Sequence, residues 1–276
     1  MPAVKLSGFA DEIAADPREQ IATLQQNQIR YLELRGVWNT NVLDLKPDRI
    51  DEFRHMLDDA GIGVSAIGSP IGKVPIRSDL DAHFARFQVA VERACQFATA
   101  YVRVFSFYHP DESAEDCRSA VIEQFSRMTE YAAGAEVVLL HENEKGIFGD
   151  IPSRCHDLLT AIDHDHLRAT FDPANFIQAG IDPATEAWPD LREYVACFHI
   201  KDALKRDKRV VPAGCGDGGL EPILAQAVAA GFRGFCSLEP HLKAEDPDYG
   251  GSGAERFSKA AGALRAVLAA AGIDTE

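Results

Sequence analysis

One pattern runs the length of this chain. Short runs of β-branched and aromatic residues recur, each followed by a longer segment with apolar residues at helical spacing under a charged face. The alternation predicts strands near residues 4–9, 29–35, 63–68, 101–107, 136–142, 167–172, 195–200 and 234–239. Helices fall between them, near 17–27, 47–60, 80–98, 114–133, 153–163, 184–193, 221–230 and 254–271. Several open on Pro or Asp and close on Gly, as at Asp16-Pro17, Pro47-Asp48, Ala60-Gly61 and Ala230-Gly231. A helix carrying the chain back between consecutive strands makes those strands parallel.

Eight such units in 276 residues give about 34 residues each, enough for a strand, a helix and two loops. The expected fold is therefore α/β, a single (β/α)8 TIM barrel spanning residues 1–276. An open doubly wound sheet is the competitor. Such sheets carry a phosphate-binding glycine fingerprint after the first strand, and Gly8-Phe9-Ala10-Asp11 does not supply one.

Charge narrows the partners. Twenty-eight Lys and Arg against 43 Asp and Glu give −15, which repels polyanions and points away from nucleic acid and anionic membranes, toward a small metabolite. No apolar run is long enough to span a bilayer and no secretory pattern opens the chain, so a cytoplasmic location is expected. The six cysteines are scattered without a C-x-x-C pair and read as reduced thiols.

Active sites of such barrels gather at the C-terminal strand ends. Strand five, Val137-Val138-Leu139-Leu140-His141-Glu142, is apolar until its last residues; strand six, Ala169-Thr170-Phe171-Asp172, ends in the same way. Strand seven finishes on His199 and strand eight on Glu239. With neighbouring strands about 4.8 Å apart, four adjacent ends span on the order of 15 Å, so inward side chains converge. A strand-end acid taken singly is often only a helix N-cap or a rim charge. Three converging carboxylates, however, repel one another unless protons or a cation neutralise them. Glu142, Asp172, His199 and Glu239 are thus the expected ligands of one divalent ion. Three oxygens and one imidazole suit Mn2+ first, with Mg2+, Co2+ or Zn2+ as alternatives.

Together with Phe171-Asp172-Pro173-Ala174-Asn175, Phe198-His199-Ile200-Lys201-Asp202 and Ser237-Leu238-Glu239-Pro240-His241, these strand ends resemble the xylose-isomerase-like TIM-barrel superfamily, in its sugar-phosphate isomerase/epimerase branch. The likeness covers nearly the whole chain. It implies that Glu142, Asp172, His199 and Glu239 bind one divalent ion and that Glu142 and Glu239 act as acid and base on a keto sugar or sugar phosphate. It also implies that homo-oligomers are common. Removing a proton α to a carbonyl requires a carboxylate within reach and a Lewis acid at the enediolate oxygen. Two positions depart from the pattern: Asn175 stands where tagatose- or psicose-type epimerases usually place a histidine, and Cys215, in Gly214-Cys215-Gly216-Asp217-Gly218-Gly219, stands where a glutamate is common.

Lys201, two residues beyond His199, is expected on the same side as a catalytic ammonium, against a solvated rim lysine. On strand two, Glu33 and Arg35 are expected inward, with Arg103 as partner of Glu33 and Arg35 nearer the mouth. Arg35, Asn175 and His241 are the expected substrate-binding residues. Alternation places Val138, Leu140, Val195 and Cys197 inside the barrel and turns His141 away from the metal. His55, His83, His156, His164 and His166 read as solvated. The leading function is a metal-dependent sugar isomerase or epimerase. The alternatives are a lyase or dehydratase on keto-sugars, an endonuclease-IV-like nuclease, disfavoured by charge and by Asn175, and an inert sugar-binding barrel.

Overall fold

The computed structural model describes residues 4–275. Eight parallel strands form its main sheet: β1 (Lys5–Gly8), β2 (Tyr31–Leu34), β3 (Gly63–Gly68), β4 (Tyr101–Val104), β5 (Val138–Glu142), β6 (Leu167–Phe171), β7 (Val195–Ile200) and β8 (Phe235–Leu238). From β2 to β8 each strand pairs with its sequence neighbour, and β8 returns to pair with β1. The result is a nearly closed TIM barrel. At the seam between β1 and β2, Ser65 Oγ accepts from Ser7 Oγ at 2.6 Å and donates to the Leu32 carbonyl at 3.1 Å.

The helices are α1 (Pro17–Gln26), α2 (Pro47–Ala60), α3 (Leu80–Gln96), α4 (Ala114–Gly134), α5 (Pro152–Ile162), α6 (Pro173–Ala179), α7 (Trp188–Leu191), α8 (Leu220–Ala229) and α9 (Gly253–Ala270). Their starts follow the capping chemistry of the sequence. Asp16, Asp79 and Ser113 each accept a first-turn N–H, and Ser252 with Glu255 forms a reciprocal capping box. The larger core joins outer strand faces to helices and holds Phe53, Phe87, Phe125, Phe198 and Phe257. A smaller cluster inside the barrel is built on Ala66, Leu140 and Cys197 with Tyr101, Val138, Ala196 and Phe235. No helix among the described residues is long and apolar enough to cross a membrane.

Several local expectations are corrected. Val195 packs with the outer core and Ala196 with the inner cluster, because the β6–β7 ladder shifts register between Ala169 and Thr170. The helix expected over 184–193 is a π-helical turn, Pro183–Ala187, running into α7. Pro189 has no N–H to close on Thr185, so an ordinary α-turn cannot continue there. Helix α6 and two short hairpins, Gly36–Val37 with Thr40–Asn41 and Asp202–Ala203 with Val210–Val211, add to the βα alternation. His83 is not simply solvated: its Nε2 accepts from Gly72 N at 2.9 Å. There Gly72 has φ +88° and a Cβ would strike the Phe105 carbonyl, so only glycine lets the two loops touch.

Candidate metal centre

Glu142 closes β5, His199 lies one residue before the end of β7, and Asp172 and Glu239 immediately follow β6 and β8. One ligating atom from each lies within 4.8 Å of every other, and all four residues are buried. This is the quartet expected from the strand ends.

Local structure aims each group. Asp172 is the N-cap of α6: its Oδ1 accepts from Asn175 N at 2.9 Å, and Pro173 opens the helix where no N–H is needed. Asp172 is therefore both cap and cluster member, which leaves Oδ2 for the centre. Asn143 locks the same segment, accepting from Asp172 N at 3.0 Å and donating to its carbonyl at 2.9 Å. Asn175 donates to Glu142 Oε1 at 3.2 Å and to the Asn143 carbonyl at 2.9 Å.

Glu142 Oε2 is held by Arg103 at 2.8 Å. His199 points Nδ1 at Glu142 Oε1, 3.1 Å away, and places Nε2 3.1 Å from both oxygens of Glu33. The expected Glu33–Arg103 pair is thus wrong in its partners: Arg103 serves the adjacent strand and Glu33 reaches across the barrel. Lys201 is buried, as the inward reading required, with Nζ 2.7 Å from Glu239 Oε2 and 2.9 Å from Asp172 Oδ2. The approach to Asp172 is off the hydrogen-bonding direction, so Oδ2 has no hydrogen-bond partner, and neither has Nδ1 of His199.

Toward solvent, Arg35 contacts Asp11 at 2.7 Å, Glu239 at 3.1 Å and Glu12 at 3.3 Å. His241 Nε2 lies 3.2 Å from Glu12 and 3.5 Å from Glu239, and its backbone N–H donates to Glu12 Oε2 at 2.7 Å. His241 is 43% exposed and Arg35 25%, whereas the quartet is sealed, so this is the open side of the site. Glu12, Asn143 and Glu33 as a histidine partner were missed by sequence reasoning. Glu12 had a weak signal, lying just beyond the end of the first strand. His141 turns outward to Ser106 Oγ at 3.0 Å. The Gly214–Gly219 loop is no loose turn: Gly214, Gly216 and Gly218 donate backbone N–H groups to the Asp202 carboxylate. All six cysteines are free.

Charge is the controlling quantity. Four buried carboxyl groups, Glu33, Glu142, Asp172 and Glu239, face two buried fixed cations, Arg103 and Lys201. Protons make up the difference when no metal is bound. Burial opposes a charged His199, but Glu142 and Glu33 outweigh it and hold the imidazole well above its ordinary range. Burial pushes the Asp172 carboxyl up to about 7, against the pull of Lys201. Glu239 is held well below the usual carboxylate range: burial opposes its ionisation, but Lys201, His241, His199 and Arg35 prevail. A dication replacing those two protons satisfies the same balance, and the two unpartnered atoms, His199 Nδ1 and Asp172 Oδ2, are the ones it would bind. The donor set fits a divalent ion.

A family model described as xylose isomerase-like TIM barrel matches residues 21–266. The chain belongs to this family. Among solved structures, it is similar to a D-tagatose 3-epimerase-like protein at 16% identity, covering 98% of each chain with a TM-score of 0.77. It is also similar to a probable 3-DHS dehydratase, AsbF, from Bacillus anthracis, at 17% identity over 95% of this chain and 99% of that one, TM-score 0.76. A xylose isomerase-like barrel protein from Mycobacterium smegmatis, solved in complex with magnesium, matches at 17% identity over 97% of each chain, TM-score 0.70. No curated protein matches the sequence significantly. The xylose isomerase-like barrels thus include neighbours named for epimerase and dehydratase chemistry.

Proposed function

We propose that this protein is a divalent-metal-dependent isomerase or epimerase of keto sugars or their phosphates, working by proton transfer at the carbon next to a carbonyl. The observation that carries the reading is the pair of buried potential ligand atoms without a hydrogen-bond partner, His199 Nδ1 and Asp172 Oδ2, inside a cluster two positive charges short of balance. Glu142, Asp172, His199 and Glu239 would hold the ion, Mn2+ by donor preference, with Mg2+, Co2+ or Zn2+ also compatible. When bound, it supplies Lewis-acid stabilisation of the negative charge that develops on the substrate oxygens.

The chain's own residues supply the rest. Glu142 and Glu239 take and return the α proton from opposite faces. Arg103, Asn175 and Lys201 fix the orientation of those carboxylates at 2.8, 3.2 and 2.7 Å. Lys201 also brings a buried ammonium to the edge of the cluster, placed to hydrogen-bond a developing oxyanion. Arg35 and His241, on the exposed side, bind substrate hydroxyls, and Asn175, whose amide N–H groups are committed to Glu142 and the Asn143 carbonyl, has only its amide oxygen to offer one. Phe9 packs nearly perpendicular to His199, with ring centroids 5.1 Å apart.

A second reading, loss of water from a β-hydroxy ketone, shares the first proton abstraction and is supported by the dehydratase neighbour. One experiment tests both. Metal is assayed in protein purified without chelator, and solvent deuterium exchange is followed by NMR into a panel of keto sugars, free and phosphorylated, with and without Mn2+. Metal-dependent exchange at an α carbon is expected. Loss of water after exchange selects the dehydratase, and absence of metal and of exchange across the panel overturns both readings.

A further inference from the structure

The buried carboxyl of Glu33 touches neither the space between the four cluster residues nor the exposed side of the site. Both of its oxygens lie 3.1 Å from one atom, His199 Nε2, and both side chains are fully buried. Arg103, a buried basic group two strands away on β4, is committed to Glu142. A neutral imidazole carries one N–H and one lone pair, and the neighbour of one nitrogen decides which the other shows. A carboxylate accepts and cannot donate, so the Nε2 contact requires a proton there. Phe9 packs against the same ring, its plane at 82° to the imidazole.

We propose that Glu33 is a positioning residue that keeps His199 in its Nε2–H form, so that the Nδ1 lone pair faces Glu142, Asp172 and Glu239. This rests on the reading of those four residues as a dication site. Glu33 acts through one hydrogen bond and touches neither ion nor substrate. It reaches across the barrel from β2 to β7 and orients the one imidazole among the four cluster residues.

The test uses the full chain, Zn2+ alone as a diamagnetic probe, and the variants Glu33→Gln and Glu33→Asp, with circular dichroism to verify the fold. Imidazole 15N NMR of the Zn2+-loaded wild type is expected to show Nε2 protonated and Nδ1 coordinated. Glu33→Gln, which can turn its amide to donate, is expected to weaken Zn2+ binding about ten- to a hundredfold and to shift or abolish the Nε2 proton signal. Glu33→Asp restores part of both. A merely structural Glu33 would lower stability in both variants and leave the ring pattern alone. Wild-type Zn2+ affinity with an unchanged ring spectrum in Glu33→Gln overturns the proposal, as does a wild-type ring protonated at Nδ1 and bare at Nε2. If the wild type binds no Zn2+, the metal reading fails instead. The metal-free spectrum then still decides Glu33, because the hydrogen-bonded Nε2 proton of the wild type must change in Glu33→Gln, and its persistence unchanged refutes the role.

Discussion

Metal binding at this site is expected to be a proton exchange, and its pH dependence follows from two groups. His199 must give up the Nδ1 proton that Glu142 and Glu33 hold on it well above the ordinary imidazole range, and Asp172 must lose a proton that burial retains up to about 7. Protons and metal compete, so affinity falls as the pH falls. Going from pH 7.5 to 6, Asp172 alone weakens binding about eightfold, about 1.2 kcal/mol, and the proton held on His199 adds to that loss. The slope is itself diagnostic: more protons are released per ion bound at about pH 6, where Asp172 is mostly protonated, than at about pH 7.5, where it is mostly ionised. Titration calorimetry with Mn2+ in buffers of different protonation enthalpy reads both quantities. An affinity that stays flat over this range with no proton release would refute the charge-balance argument, since the cluster would then hold its carboxylates without protons or a dication.

The other expectations are separate measurements. Glu142→Gln and Glu239→Gln should each lower solvent deuterium exchange into substrate at least about a hundredfold while circular dichroism stays native, because each removes a carboxylate base with little change of volume. Lys201→Met leaves Asp172 and Glu239 facing each other without the ammonium between them, and should cost about 3 kcal/mol in urea unfolding of the metal-free protein. Unchanged unfolding would place Lys201 outside the charge network. Burial lowers the His141 imidazole to about 4 from 6.5. The unfolded chain then binds the extra proton first, so His141 adds stability that is complete above about pH 6.5 and declines toward pH 4, about 3 kcal/mol in all. His141→Gln should flatten that part of the curve without altering deuterium exchange, because His141 faces Ser106 and not the cluster.

The barrel and the quartet were both legible because they rest on short-range regularities. Alternation along a strand fixes which side a residue faces, so Glu142 and His199 at the ends of apolar runs had to point inward together with Leu140 and Cys197. Asp172 carried a second signal that sequence reasoning missed: Asp-Pro before Ala-Asn, with Gly180 seven residues past Pro173, spells a helix start and stop, and α6, absent from the expected helices, is that helix. Pairings across the barrel were not legible. Glu33 and Arg103 both point inward from nearby strands, and their partners depend on the stagger between strands. The β2–β3 ladder slips register between Leu32 and Glu33, a shift that no residue type announces.

The same distinction explains the open side of the site. Glu12 reaches Arg35 and the His241 backbone only because the turn after β1 and the turn after β8 lie beside each other, at opposite ends of the chain. Its carboxyl is pushed up to about 7, by burial first and Glu239 second, with Arg35 pulling the other way. The site therefore has two zones under one electrostatic constraint. In the sealed zone, carboxylates outnumber fixed cations and a dication or protons must close the balance. In the exposed zone, Arg35 is shared among three carboxylates, so a substrate hydroxyl can replace one contact without leaving the guanidinium unpaired. That division accounts for a chain that keeps the four strand-end ligands while placing an amide at Asn175: Asn175 serves Glu142 from within the sealed zone, where a second imidazole would carry a lone pair or a proton that the existing balance does not need.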